Sequence, residues 1–284
     1  AVKFLANRYG LAIPNDINSK QYKTNYNLTQ KFIKDMTCNA YEYLYDRGLD
    51  DDTIEKWTIC YDKHEDRIVF PLFDAYGNIV GFNKRLITKQ TKGLNRKYIH
   101  SSDSEIFKKS QYFYGMQFID KTQDFIILTE GVFDVILPQK YGVPNVICAL
   151  GTTLSEYQIN VLSKLNKEVI IVYDNDDKGI KTMKKVMPLL ESHGISARLL
   201  ILPNDKDLAE ITLEYKYNTL NYILDNSVTY GYYQIQKVVN SFNKDLYDLY
   251  YNYSNMFNTI IESTPKSERA ILQGFIDNCL MRGA

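Results

Sequence analysis

Hydrophobic positions along the chain follow two patterns. From residue 124 the apolar residues gather into four near-continuous runs of strand length, "DFIILTE", "NVICALG", "EVIIVYD" and "ARLLILP". Segments with helical spacing separate them, over roughly 132–141, 154–165 and 177–192. Fully apolar strands that alternate with helices predict a parallel sheet covered on both faces. Pro138 falls inside the first of these helices and predicts a kink or a shortened helix.

Upstream, the apolar groups are shorter and interrupted. "AVKFLANRYGLAIPND" predicts a short amphipathic helix with Val2, Phe4, Leu5 and Tyr9 on its apolar face, Gly10 near its end and Pro14 beyond. The Asn- and Lys-rich stretch to about residue 30 reads as a linker. "NAYEYLYDRGLDDDTIEKW" predicts two short helices broken at Gly48, with Asp52 as an N-cap. "DRIVFPLFDAYGNIVGFNKRLI" predicts a β-hairpin around "DAYGN". After Tyr215 the chain reads as helical, with a tyrosine-rich face around "DLYDLYYNYSNMF". The expected division is residues 1–35, 36–122, 123–216 and 217–284.

Composition narrows the classes. A chain of 284 residues can bury a sizeable core. Its apolar runs fall far short of the roughly 18 residues that span a bilayer, so no membrane association is expected. The 34 basic and 34 acidic residues cancel, so only local charge can argue for nucleic-acid binding. Such a bias exists. Between Asn78 and Lys121, nine basic residues (Lys84, Arg85, Lys89, Lys92, Arg96, Lys97, Lys108, Lys109, Lys121) face Asp103, Glu105 and Asp120, a net of +6. The four cysteines, Cys38, Cys60, Cys148 and Cys279, form no CxxC pair, and of the three histidines only His64 lies near one of them, four residues after Cys60. They read as scattered thiols of a reduced cytoplasm, with neither a zinc site nor a disulfide framework within the chain. No signal peptide and no P-loop pattern is present. Richness in Tyr, Asn, Lys and Ile fits an AT-rich genome.

Placed on the predicted sheet, the acids form a pattern. Glu130 follows the first parallel strand, with Asp134 one helical turn on. Asp174 and Asp176 follow the third strand, and Asp205 and Asp207 follow the fourth. The carboxyl ends of parallel strands share one edge, where ligands bind. Strands about 4.8 Å apart can therefore bring these acids into one small volume. Two carboxylates about 5 Å apart repel by roughly 3 kcal/mol at an effective dielectric near 20, so such a cluster calls for a cation. All-oxygen donors select a hard ion, Mg²⁺ first with Mn²⁺ as substitute. The alternative for any one of these acids is a helix cap. Asp177 reads as the cap of the third helix, and Gly179 as the residue that permits a close backbone approach there. A phospho-acceptor receiver domain also gathers acids at this edge, but it explains neither the basic segment nor Glu130.

"TEGVFDVI", "ALGTTLS", "VYDNDDKG" and "LPNDKDLAE" together resemble the Toprim domain. Glu130 and Asp134 fall in its EG-x-x-D motif, and Asp174, Asp176 and Gly179 in its DxDxxG motif. Upstream, "YLYDRGLDDDTIEKWTICYD", "RIVFPLFDAYGNIVGFNKRL" and "KYIHSSDSEIFKKSQYFYGM" resemble the amino-terminal half of the RNA-polymerase core of DnaG-type primases, bacterial or phage. The resemblance covers roughly residues 36–216. It implies an α/β class, α+β overall, in which a Toprim parallel-sheet domain is flanked by a basic α+β subdomain and a C-terminal helical one. It also implies metal-dependent synthesis of RNA primers from NTPs on single-stranded DNA, in a bacterial cytoplasm and with a replicative helicase as partner.

The residues carried over are Glu130, Asp134, Asp174 and Asp176 as catalytic. Glu130, Asp174, Asp176 and Asp207 are the metal ligands, with Glu130 held open as a general base. Arg85, Lys97 and Lys109, with Lys84 and Arg96, are the nucleotide- or DNA-binding set. Tyr98, Tyr112, Phe113 and Tyr114 read either as base-stacking rings or as core. Two departures stand out. The family's acid two residues after Asp207 is here Ala209, so either Glu210 substitutes or the outer metal site is weaker. The family's amino-terminal zinc module has no ligands here, and residues 1–14 resemble its closing helix. The rival readings are a Toprim nuclease and a non-catalytic DNA-binding recombination or replication module.

Overall fold

A computed structural model describes residues 20–281 except 75, 88–95, 152, 204–205 and 241–245. The helix expected near residues 1–14 lies outside the described residues. Helix α1 (Lys20–Lys34) occupies most of the stretch expected as a linker. Its buried face is Tyr22, Asn25, Thr29 and Phe32, spaced as a helix requires. Asn25 donates to the Ile79 carbonyl at 3.0 Å, and Phe32 meets Phe82 edge-on at 5.6 Å. Half of that face is polar, so hydropathy alone does not reveal it.

Helices α2 (Cys38–Asp46) and α3 (Asp51–Lys56) turn at Gly48, whose φ is +83°. Asp50 caps α3, its carboxylate accepting from the Thr53 amide at 3.0 Å. Asp52, expected as the cap, lies instead in the first turn, where a negative charge favours the helix dipole.

The first sheet is antiparallel, in the order β1 (Cys60–Asp62), β2 (Arg67–Phe73), β3 (Ile79–Leu86), β4 (Tyr98–His100). The expected hairpin is β2–β3. Its turn is held by Asp74, which accepts from the amides of Tyr76 and Asn78 at 2.8 and 2.9 Å.

The second half of the chain runs β5 (Phe125–Thr129), α4 (Phe133–Lys140), β6 (Val146–Cys148), α5 (Glu156–Leu165), β7 (Glu168–Tyr173), α6 (Asp177–Ser192), β8 (Ala197–Ile201) and α7 (Leu208–Tyr215). Pro138 sits in the last turn of α4, which spans only 8 residues. Then come α8 (Thr219–Asn226), β9 (Val228–Thr229), α9 (Tyr230–Asn240), α10 (Leu246–Ser263) and α11 (Lys266–Met281). The sheet order is β6-β5-β7-β8-β9, parallel except for β9. The chain leaves β5 toward β6 on one side and returns to β7 on the other. The carboxyl ends of β5 and β7 therefore flank the sheet's topological switch point, the ligand-binding crevice of open α/β sheets. Strand β9 escapes sequence reading because two residues carry no period. Among the described residues no helix is long and apolar enough to cross a membrane.

The two sheets share a core. Tyr114, at the end of the basic segment, exchanges backbone hydrogen bonds with Cys148 on the edge strand β6, at 2.8 and 3.0 Å. Trp57, fully buried, stacks on Tyr114 with ring centroids 5.1 Å apart and meets Phe118 at 4.6 Å. Phe70 of β2 meets Phe133 of α4 edge-on at 5.4 Å. Phe113 and Tyr114 are thus core residues, and Tyr112 accepts from the Phe73 amide at 2.9 Å. These three do not form a stacking surface. Replacing Trp57 by Ala should lower the unfolding free energy by about 3–5 kcal/mol in urea denaturation, whereas a loss below about 1 kcal/mol would show that this ring does not join the sheets.

Candidate active site

A cleft of about 490 Å³ lies between the antiparallel sheet and the carboxyl edge of the parallel one. One wall carries Glu130, Asp134, Asp174 and Asp207. The facing wall carries Arg47, Arg85, Lys97 and Lys109, while Lys178, at the start of α6, stands on the acidic side.

The acidic wall is built by chain geometry. Glu130 leaves β5 and Asp174 leaves β7, neighbouring strands in register from Phe125↔Glu168 to Leu128↔Ile171. Helix α6 starts hard against this edge because residue 179 has no side chain. A Cβ there would lie 2.1 Å from the Asp174 carbonyl oxygen and 3.0 Å from Glu130 Oε1. That close approach is the one expected of Gly179. The assignment of the neighbouring acids is corrected, however. Asp176 is the cap of α6, its Oδ1 accepting from the Gly179 amide at 2.6 Å, and Asp177 is the first helical residue. An N-cap precedes the first helical residue, and α6 begins at Asp177. Asn175 fixes the turn by donating to the Leu202 carbonyl beside β8 at 2.8 Å.

Asp134 is buried and accepts two backbone hydrogen bonds, from Gly131 and Ala209, each at 3.1 Å. It ties the turn after β5 to the first turn of α7. Asp134 borders the cleft while both of its oxygens are engaged by backbone amides. Burial and the Asp207 carboxylate push it well above the usual carboxylate range. Asp207 caps α7 by accepting from the Glu210 amide at 2.8 Å, and Glu210 returns the bond to the Asp207 amide at 3.1 Å. This capping box directs Glu210 away from the cleft, so it does not substitute for the acid that Ala209 replaces. Asp205 lies outside the described residues.

Burial and then the Asp174 carboxylate push Glu130 up to about 7. Its Oε1 is buried with no hydrogen-bond partner among the described residues. Asp174 is raised by burial and by Asp207 and Asp176. No three His, Cys, Asp or Glu side chains among the described residues are grouped tightly enough to form a ready-made cage. The donor chemistry nevertheless fits a hard divalent cation. The acidic wall is all oxygen, one oxygen is orphaned, and burial with mutual repulsion raises Glu130 and Asp174, a cost that a bound cation would offset.

On the basic wall, strand alternation sorts the candidates. Arg85 points into the cleft. It is buried, bonded to the hydroxyls of Tyr43 and Tyr98, and lies over the Phe133 ring at 5.1 Å. Lys84 points to the opposite face and pairs with Asp62 at 2.7 Å and Glu65 at 3.1 Å, so it is not a site residue. Lys97 and Lys109 line the cleft, while Arg96 is exposed and does not. Burial and the nearby Arg85 and Arg47 lower Lys97, against the pull of Asp207 and Asp174. Sequence reasoning missed Arg47, which packs over Phe133 at 5.6 Å, and Lys178 in the first turn of α6. It also missed Asn83 and His100. Arg47 lies in the turn between α2 and α3, outside the basic segment. Asn83 carries no charge to flag it, although its two-residue offset from Arg85 on one strand was a usable signal.

Comparison with known proteins matches both halves of this arrangement. Residues 58–120 match the family described as DNA primase catalytic core, N-terminal domain, and residues 127–212 match a Toprim-like family. The DNA primase of Aquifex aeolicus is 38% identical over 165 residues, which is 57% of this chain and 32% of that protein. The chain therefore spans about a third of that relative's length. The crystal structure of the zinc-binding and RNA-polymerase domains of the Aquifex aeolicus primase superposes with a TM-score of 0.70 at 25% identity, over 99% of this chain and 80% of that one. A DnaG primase catalytic domain bound to ssDNA shares the fold, with a TM-score of 0.71 at 20% identity over 92% of this chain and 95% of that one.

Because folding raises Glu130 from the ordinary 4.5 to about 7, the native state holds more protons than the unfolded chain between those values. Stability without metal therefore falls as pH rises through that window. Glu130→Gln should raise the melting temperature at pH 8 and flatten its pH dependence between 5 and 8. Thermal melts showing the same slope in both proteins would contradict the crowding described.

Proposed function

We propose that this chain, which belongs to the DnaG-type primases, joins ribonucleotides into short RNA primers along single-stranded DNA by nucleotidyl transfer. The observation that carries the reading is the single cleft in which the Toprim acids face Arg85, Lys97 and Lys109 of the primase-type sheet. Either wall alone is compatible with other chemistry. Together they pair a site for cations with a site for phosphates.

The basic wall neutralises phosphates of the incoming NTP and of the template. Arg85 is held by two tyrosine hydroxyls and so offers its guanidinium in a fixed orientation, which costs no reorganisation during reaction. Lys97, just before β4, and Lys109, in the segment after it, line the same space. On the acidic wall Glu130 and Asp174, with Asp207 and the capping Asp176, would hold Mg²⁺, with Mn²⁺ as substitute. The ion supplies a lowered pKa at the attacking 3′-hydroxyl and charge neutralisation at the departing pyrophosphate. Glu130 has a second possible role, because a carboxyl titrating near 7 suits a general base for that hydroxyl. Asp134 acts by position, holding the Gly131 and Ala209 backbones.

The test is synthesis on single-stranded DNA with radiolabelled NTPs and Mg²⁺ or Mn²⁺. Wild type should make short RNA. Glu130→Gln and Asp174→Asn should each lose at least about 100-fold, in line with the loss of a group that acts on the transition state, while retaining single-strand affinity. Equal synthesis by wild type and Glu130→Gln would remove Glu130 from the mechanism. Cleavage of labelled strands without NTP incorporation would replace the primase reading with a nuclease.

A further inference from the structure

The cleft contains two polar groups that neither wall uses. Asn83 on β3 and His100 on β4 are directly paired across the antiparallel sheet and both face the cleft. Asn83 is 2% exposed, and its Oδ1 has no hydrogen-bond partner among the described residues. His100 Nδ1 is likewise buried without one. An unmade hydrogen bond at a buried polar atom costs about 1–3 kcal/mol, so two adjacent orphans opening on one cleft mark a place prepared for a ligand. Burial and nearby Lys109 lower His100 to about 4, so the imidazole is neutral at neutral pH. The pair is therefore a neutral corner within the basic side of the cleft, and its orphaned atoms suit hydroxyls.

The next step rests on the primase reading. A nucleoside triphosphate has an anionic end for the charged walls and a neutral sugar and base. A template-directed enzyme accepts four bases whose edges differ, so a fixed side-chain bond to a base edge would bias its product. The sugar hydroxyls are common to all four ribonucleotides. We propose that Asn83 and His100 form the sugar-reading corner of the cleft. Asn83 Oδ1 accepts a hydrogen bond from the ribose 2′-hydroxyl, whose oxygen accepts in turn from the Nδ1–H of His100, so that ribonucleotides are selected over deoxyribonucleotides. A deoxyribonucleotide leaves these buried atoms unmade, which is the arrangement that rejects an analogue lacking a hydroxyl most strongly.

The experiment is single-nucleotide extension of an RNA-primed template, which bypasses initiation, with ATP, dATP and 3′-deoxy-ATP. Competition against a fluorescent ATP gives the affinities independently. Asn83→Ala and His100→Ala should each lower the ATP-over-dATP preference at least about 10-fold, by raising KM and Kd for ATP while leaving dATP nearly unchanged. The 3′-deoxy analogue should behave as ATP in this single addition, and His100→Asn, which keeps a hydrogen-bonding group, should recover part of the preference. Thermal melts report folding, and Asn83→Ser replaces Asn83→Ala should the latter unfold. Extension with an unchanged preference in the folded variants would mean that the corner holds only a structural water, and would overturn the proposal while leaving the primase reading intact. No nucleotide addition or binding by wild type would overturn both.

Discussion

The site depends on one close approach. Helix α6 comes so near the end of β7 that a methyl group at residue 179 would overlap the Asp174 carbonyl. This contact presses the first turn of α6 against Glu130 and Asp174, at the place where the sheet's connections diverge. Burial and crowding follow, and with them the upward displacement of both carboxyls. The Asp176 cap holds the helix in this position through the Gly179 amide. Asp134 performs a related service for α7, whose cap Asp207 borders the same cleft. The caps and the metal candidates are thus neighbouring parts of one construction, and Asp176 and Asp207 belong to both.

The second sheet converts an acidic edge into a two-sided cleft. Its attachment is local and specific. Tyr114 bonds to the edge strand β6, Trp57 stacks on Tyr114, and Phe70 meets Phe133 at the base of the cleft. Phe133 also lies beneath Arg47 and Arg85. The helix that begins just after Glu130 therefore supports the cationic wall from below, and the two walls cannot move independently without disturbing a shared aromatic contact.

Much of this was legible in the sequence because the parallel sheet writes itself in long apolar runs, and because Glu130 and Asp174 follow those runs directly, with Asp207 a few residues beyond the last. The hairpin was legible for the same reason. What failed has physical causes. Helix α1 buries Asn25 and Thr29 beside Tyr22 and Phe32, so its buried face does not look apolar. The sequence pattern points to Asp52 and Asp177 as caps, whereas the capping side chains belong to Asp50 and Asp176. An acid-rich helix start offers several chemically equivalent candidates, and only backbone geometry distinguishes them. Lys84 and Arg85 are adjacent in sequence but lie on opposite faces of β3, so a segment's net charge could not say which reaches the cleft. Arg47 and the pairing of Asn83 with His100 became visible only when distant segments met.

Burial and mutual crowding raise Glu130 and Asp174, and the proposed divalent cation would relieve that crowding. Calorimetric titration with Mn²⁺ at pH 7, in two buffers of different ionisation enthalpy, tests this most directly. With Glu130 near 7, binding should release a substantial fraction of a proton, and Glu130→Gln should both weaken binding and abolish most of that release. Binding without proton release, or identical titrations for the two proteins, would contradict the account.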